Sequence, residues 1–341
     1  MVECLATEHN EIYRALPGLE VPVGEALLSL SNMWDAPASS EGSRAPSEFR
    51  ASRMNFILHF GFEASTEESE ELFQSVISFS QRYPCRIIAL CPSRDKNATG
   101  QGIVCKIFSE CYIGEGQGDM SCCEAIVFGY TLKEKQYLED QISIFLESDL
   151  PTYYWPYRFD SPKNLSDYQS FFKNVNRVVI DTASETYQPH MLDIAEPSKV
   201  YDLAFARTLS ARQSIGQFFS VFSAEDIVNG LNRIEIVTSA DHEAEMVALS
   251  NWIQSVLGDC GNSVDKTKPA ESISCGLSVD PQSVPTLRFS YGNGSSAECM
   301  LDFKSGVAHL RANIGGDDHA MNAAIHLLNP DDALAESLFF G

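Results

Sequence analysis

A strand, a capped helix and a second strand follow one another between residues 54 and 91, and this order constrains the fold more than any other feature. Met54 to Phe60 is apolar and fits a buried strand. Ser65 and Glu68 have the spacing of a capping box, in which each side chain satisfies the other's free backbone N–H. Leu72, Phe73, Val76, Ile77 and Tyr83 then recur at helical spacing and give one apolar stripe. Arg86 to Cys91 is a second strand, ended by Pro92. Strand, helix and strand in this order predict a parallel pair joined by a right-handed crossover, and so an α/β fold.

The elements after this unit extend the same plan. Ile103 to Ile113 and Asp119 to Phe128 are strand candidates around the loop Gly114 to Gly118. A helix is expected over Lys133 to Glu147, with short strands at Thr152 to Trp155 and Val178 to Asp181 around a helix near 164–174. Ser210 and Gln213 form a second capping-box pattern. Behind it Ile215, Phe218, Phe219 and Phe222 follow i, i+3, i+4, i+7. From about 232 the pattern changes. A strand at Ile234 to Thr238 and an amphipathic helix at His242 to Leu257 precede four strands, at Ser272 to Val279, Thr286 to Tyr291, Glu298 to Phe303 and Val307 to Ala312. Gly292-Asn293-Gly294 and Lys304-Ser305-Gly306 are hairpin turns. A helix is expected from Asp318 to Leu328, and Asp331 opens a last helical turn. The expected organisation is an N-terminal helix (23–34) and linker over 1–48, a Rossmann-like α/β domain over 49–228, and a smaller α+β domain with an antiparallel sheet over 229–341.

Charge narrows the choice of partner. The net charge is -23, and residues 241–341 share the acidic excess, so no basic module is set apart there. Such a surface repels phosphate backbones and anionic lipid, which argues against nucleic-acid and membrane-surface binding. Met1 to His9 has neither a basic n-region nor an apolar h-region, and no run has the length of a membrane span. A cytoplasmic location is expected. In that compartment the ten cysteines read most simply as reduced, buried, small apolar residues. Cys122-Cys123 and the pairs Cys85/Cys91 and Cys105/Cys111 are the candidates for a regulatory thiol.

No motif carries chemistry. Gly114-x-Gly116-x-Gly118 lacks dinucleotide spacing and precedes a strand, so it reads as a hairpin turn. Asp317-Asp318-His319, with His309 and His326 nearby, suggests a metal site, but acidic residues before a helix are more simply caps. There is no nucleophile elbow, zinc-protease or kinase signature. Tyr153-Tyr154-Trp155-Pro156-Tyr157 stands at the end of a strand, where ligands meet α/β sheets. Trp155 reads equally as a core aromatic and as a surface anchor, whereas Arg158 favours the surface.

Five phrases in register give the chain a family resemblance. They are Arg50-Ala51-Ser52 with Asn55, Pro84-Cys85-Arg86 with Ile88, Cys123-Glu124 with Ile126, Asp149-Leu150-Pro151 through Trp155-Pro156, and Asp202-Leu203 with Arg207 and Arg212. Together they resemble the glucose-6-phosphate dehydrogenase assembly protein (OpcA) family. Cys85, Tyr154, Phe205 and Ala211 stand where that family's pattern has Ser or Trp. The match is good over roughly 23–223 and continues in the closing Leu328-Asn329-Pro330-Asp331-Asp332 phrase. The resemblance implies a protein that is not an enzyme, holds no cofactor or metal, and binds glucose-6-phosphate dehydrogenase to promote its active form. The residues it marks for contact or site architecture are Arg50, Arg86, Glu124, Trp155, Arg158, Asp202, Arg207 and Arg212. The inner arginines also read as partners of buried carboxylates such as Glu124 or Asp202. The rival reading is an enzyme or sensor that binds a sugar phosphate in the strand-end crevice, with Arg158, Arg207 and Arg212 supplying charge. A third is an adaptor gated by oxidation of a cysteine pair.

Overall fold

The computed structural model describes residues 11–34, 52–93, 102–113, 120–185, 197–264 and 273–340. The chain divides into two units, one of residues 1–202 with 330–341 and the other of residues 203–329. The division therefore falls earlier than the expected boundary near 228, and the last residues rejoin the first unit.

Unit 1 is a mixed α/β domain on one eight-stranded sheet. Its strands are β1 (Leu19–Val21), β2 (Met54–Phe60), β3 (Cys85–Pro92), β4 (Val104–Ile113), β5 (Met120–Tyr130), β6 (Thr152–Tyr157), β7 (Arg177–Ile180) and β8 (Val200–Asp202), in the order β1-β4-β5-β3-β2-β6-β7-β8. From β5 to β8 along the sheet every neighbour is parallel, while β4 runs antiparallel to both β1 and β5. Every residue of β2 and β3 is buried. That is expected of parallel strands covered on both faces.

The helix between them, α3 (Thr66–Arg82), starts where the capping box places it. Ser65 Oγ accepts from the Glu68 N–H and Glu68 accepts from the Ser65 N–H, both at 3.1 Å. Its buried stripe is Phe73, Val76, Ile77 and Phe79. The opposite face of the sheet is covered by α2 (Ala26–Trp34), α4 (Leu138–Ser143), α5 (Pro162–Ser166) and α6 (Gln169–Asn174). The long helix expected over 133–147 is the shorter α4 behind a 3-10 turn at Lys135–Tyr137.

Two ties hold distant segments to this sheet. Lys106 on β4 donates to the carbonyls of Tyr13, Arg14 and Leu16, the open C-terminal end of α1 (Glu11–Ala15). At the other end of the chain, α11 (Pro330–Ala335) and a π-helical turn at Glu336–Phe340 lie on α3. There Phe339 stacks on Phe79, Arg82 binds Asp332 at 2.5 Å, and Arg177 donates to the Ser337 carbonyl at 2.7 Å.

Unit 2 is a smaller α+β domain. Its helices are α7 (Leu203–Arg207), α8 (Leu209–Phe219), α9 (Ala224–Val228) and α10 (Glu243–Val264). Its strands β9 (Leu231–Thr238), β10 (Ser274–Val279), β11 (Thr286–Tyr291), β12 (Ser296–Asp302), β13 (Val307–Ile314) and β14 (Asp317–Ala324) form a sheet in the order β10-β9-β11-β12-β13-β14. All neighbours are antiparallel except β10 and β9. The core lies on one face only. Ile215, Phe218, Leu249 and Ile253 from α8 and α10 pack on Leu287, Phe289, Leu301 and Leu310.

Three expectations are corrected. Asp318 to Leu328 is not a helix, because residues 317–324 are β14, paired residue by residue with β13. The alanines there favour a helix only weakly, and cross-strand pairing overrides that preference. The Ser210 capping box does not form either. Thr208 is the N-cap of α8, and the Ser210 hydroxyl instead donates to the His326 carbonyl and accepts the His326 N–H. Finally, Cys111 and Cys122 are joined by a disulfide rather than reduced, since β4 and β5 pair them directly with 4.0 Å between Cα atoms. The expected Gly114 to Gly118 turn lies outside the described residues.

Candidate functional site

The strand order of unit 1 reverses beside β2. The crossover through α3 carries the chain to β3 on one side, while β6 lies on the other. Ligands of open α/β sheets sit beyond the strand ends at such a switch point. There the loops after β2 and β6 are stitched together. Gly61 N–H donates to the Tyr157 carbonyl at 2.6 Å and Glu63 N–H to the Arg158 carbonyl at 3.2 Å. A Cβ on Gly61 would lie 2.1 Å from the Arg158 carbonyl oxygen, so the crossing requires glycine.

Arg158 itself has φ of 57°, the left-handed region that a long side chain rarely enters. Its partners hold it there. The guanidinium donates to Glu68 and to the Ser184 carbonyl, both at 2.6 Å, and its N–H binds Glu185 at 2.7 Å. Glu68 is the same carboxylate that caps α3. The helix N-terminus that would cradle a phosphate in a dinucleotide fold is therefore occupied by the chain's own anion.

Behind the crevice lies a buried polar chain. The His59 ring, fully enclosed, meets the Tyr154 hydroxyl at 2.8 Å through Nδ1 and the Tyr130 hydroxyl at 2.6 Å through Nε2. Tyr130 continues to the Tyr168 hydroxyl at 2.9 Å. Rings of Phe159, Tyr168 and Phe171 stand edge-on around the imidazole. Burial pulls the His59 pKa down to about 3 and pushes Tyr168 up to about 12. The imidazole is thus neutral, with one nitrogen donating and the other accepting.

Tyr168 borders a cavity of about 630 Å³ whose polar rim is Glu63, Asp160, Asn164, Asp167 and Lys135. Lys135 is bound to Asp167, and Asn164 donates to Asp160 at 2.5 Å. A rim with three carboxylates and one committed cation is the wrong chemistry for a sugar phosphate. Nor do the three arginines of that reading meet in one unit. Arg158 belongs to unit 1, and Arg207 and Arg212 to unit 2.

At the opposite strand ends, Arg86 and Glu124 form a buried pair at 2.6 Å, only 4% and 1% exposed. Arg86 also binds Glu147 at 2.5 Å and donates to the Phe145 carbonyl at 2.9 Å. Asn55 completes the cluster, donating to the Glu147 carbonyl at 2.9 Å and accepting the Glu147 N–H at 3.0 Å. The group fixes the segment that leads into β6.

Residues 76–196 match the glucose-6-phosphate dehydrogenase subunit N-terminal domain family, the OpcA assembly domain. A putative OxPP cycle protein OpcA from Synechocystis sp. is 22% identical over 180 residues, covering 51% of this chain and 37% of that relative. Both matches point to the OpcA family of glucose-6-phosphate dehydrogenase assembly proteins. The aligned stretch is thus well under half the length of the Synechocystis OpcA protein. Among solved structures, a 3-ketoreductase from Actinomadura kijaniata aligns at 7% identity and TM-score 0.40, over 84% of this chain and 88% of its own. An aldose-aldose oxidoreductase from Caulobacter crescentus aligns at 8% and 0.30, over 83% and 87%. Likenesses at these scores carry no weight for function.

Within the OpcA match lie Arg86, Glu124, Trp155 and Arg158; Arg50, Asp202, Arg207 and Arg212 lie outside it. Trp155, 2% exposed, packs edge-on against Phe56 and Tyr157 in the core. Its indole N–H has no partner among the described residues. Asp202 accepts the Thr182 N–H at 3.1 Å and hydroxyl at 2.7 Å. Arg207 binds Glu245 at 2.8 Å, and Arg212 lies 3.9 Å from the Phe205 ring centre. Arg50 lies outside the described residues. Sequence reasoning missed the His59 chain, whose members are scattered and match no motif. The signal available was a histidine inside a strand that is apolar apart from it and Asn55.

Among the described residues no group of three His, Cys, Asp or Glu is placed to hold a metal ion, and no helix is long and apolar enough to cross a membrane.

Proposed function

We propose that this chain binds glucose-6-phosphate dehydrogenase in the cytoplasm and promotes its active form by contact rather than by catalysis. The match of residues 76–196 to the OpcA assembly domain carries the reading. The fate of the charged side chains supports it. Arg86, Glu124, Asp202 and Arg207 are engaged inside their own units, where they set architecture rather than await a substrate. The physical mechanism is linkage, in which a partner with higher affinity for the active form of the dehydrogenase shifts the population toward it. NADP and sugar phosphate then belong to the dehydrogenase, and the output is NADPH from the oxidative pentose phosphate pathway.

Among the marked residues the structure describes in unit 1, Arg158 keeps a partly exposed side chain, 32% accessible, and is our candidate for direct contact with the partner. The buried Trp155, Arg86 and Glu124 act by holding the surface in shape. The test is to mix the chain with glucose-6-phosphate dehydrogenase from the same organism. NADPH production is followed while size-exclusion chromatography with light scattering reads assembly. A co-eluting complex with raised kcat or lowered KM is expected, weakened by Arg158→Ala under conditions where circular dichroism shows the variant still folded. A well-folded dehydrogenase that neither co-elutes nor changes its kinetics would overturn the reading.

A further inference from the structure

Unit 2 buries one face of its sheet against α8 and α10, while the charged row at the middle of the other face is open to solvent. Along that face this row of side chains crosses four strands in register. Glu235 on β9 pairs with Arg288 on β11, Arg288 with Glu298 on β12, and Glu298 with Arg311 on β13. The row therefore alternates in sign, acid, base, acid, base. Arg288, Glu298 and Arg311 are exposed. Within the chain Arg288 binds Glu298 at 2.9 Å and Glu235 binds Arg233 at 2.5 Å.

The charge balance sets this face apart. It carries Arg233, Arg288 and Arg311 against Glu235, Glu298, Asp302 and Asp318, near neutrality in a chain of net charge -23. A near-neutral face spares two copies the like-charge repulsion that the chain's overall charge favours. The neighbouring row is short and flat, with Ser290 opposite Ser296 and Ser296 opposite Asn313. The row on the other side is Val237, Thr286, Met300 and His309.

We propose that this face is a homodimer interface, with a second copy of the chain related by a two-fold axis. The axis runs parallel to the strands, midway between β11 and β12. That operation lays β11 over the partner's β12 and β9 over the partner's β13. Each arginine of the row then faces a glutamate of the other copy, so the alternating row is complementary to itself. Arg288 meets Glu298, and Arg311 meets Glu235. Sheets packing face to face stay within about 30° of alignment, which keeps a central row in register. Five strands at about 4.8 Å spacing and about seven residues at about 3.3 Å span roughly 500 Å². Two copies bury on the order of 1,000 Å², the lower end for a specific interface, so the dimer is concentration-dependent.

The experiment is sedimentation velocity on the full chain over a wide concentration range. The parent should pass from monomer to dimer as concentration rises. Arg311→Glu should weaken dimerisation by about tenfold or more, with Arg311→Gln intermediate. The Arg311 side chain makes no hydrogen bond or ion pair among the described residues, so the fold does not depend on its charge, and circular dichroism checks this. Adding Glu235→Arg to Arg311→Glu should restore the dimer. Within one chain these residues are three strand spacings apart, about 14 Å, so the restoration can only arise between copies. A parent that stays monomeric, an Arg311→Glu variant that dimerises like the parent, or a double variant that stays dissociated would each overturn the proposal.

Discussion

Acid should weaken unit 1 through a single side chain. His59 is enclosed, neutral and bonded at both ring nitrogens, and burial holds its pKa at about 3. In the unfolded chain the same ring titrates near its ordinary value of about 6.5. Above that value neither state takes up a proton, and the full stability is present. Below it the unfolded state binds the proton first, so stability falls with pH until the folded pKa is passed. Linkage gives a loss of about 2 kcal/mol between pH 7 and pH 5, growing to about 5 kcal/mol below pH 3. The window from pH 7 to pH 5 is the informative one, because carboxylates dominate at lower pH. Urea unfolding at these two pH values, read by tryptophan fluorescence in a Trp252→Phe background, reports on the unit that holds Trp34 and Trp155. The comparison is His59→Phe, which removes the titration and the partner of two hydroxyls. It should start about 1–3 kcal/mol less stable at pH 7 yet lose about 2 kcal/mol less than the parent on going to pH 5. Equal losses in parent and variant would refute the assignment of His59 as a buried neutral base.

Three further outcomes follow from packing and charge. Arg86→Met should cost about 3–5 kcal/mol by stranding the Glu124 carboxylate, and Arg86→Met with Glu124→Gln should cost less; chemical denaturation measures both. Gly61→Ala should lower stability by about 2 kcal/mol or more, because the new methyl meets the Arg158 carbonyl, and a thermal melt will show it. Alkylation of the native protein, followed by mass spectrometry, should label the exposed Cys275 and the half-buried Cys260 well before Cys85, Cys91 and Cys299. Burial pushes those three thiols up, Cys299 to about 12, and so suppresses the reactive thiolate. Equal labelling rates would contradict the packing of both cores.

The unit from β2 through β3 was legible because its signals are local and agree. A capping box, a helical stripe and two apolar runs each name the same boundaries, and the structure places them there. The signals failed where partners are distant. The alanines of β14 look helical until β13 lies beside them, and Ser210 looks like a cap until His326 claims its hydroxyl. Cys111 and Cys122 become neighbours only once the register of β4 and β5 is known. The arginines were half legible. Their need for buried carboxylate partners such as Glu124 or Asp202 could be stated from sequence, but which arginine takes Glu124, Glu245 or Glu68 could not. The His59 chain draws on Tyr130, Tyr154 and Tyr168, three tyrosines that no spacing connects.

Pro330–Phe340 rejoining the first unit has a consequence for synthesis. A ribosome completes all of unit 2 before it makes the strap that covers α3. Until then Phe79 lacks the ring of Phe339, Arg82 lacks Asp332, and the C-terminal end of α3 is left without these partners. The nascent first unit must wait in that state through the translation of more than a hundred residues, and at about 5–20 residues per second that is a delay of roughly 10 s. A premature stop just before 330 would therefore spare the nearby α+β unit and injure the distant one. The damage would appear as chaperone dependence or aggregation of a domain whose first 202 residues are intact.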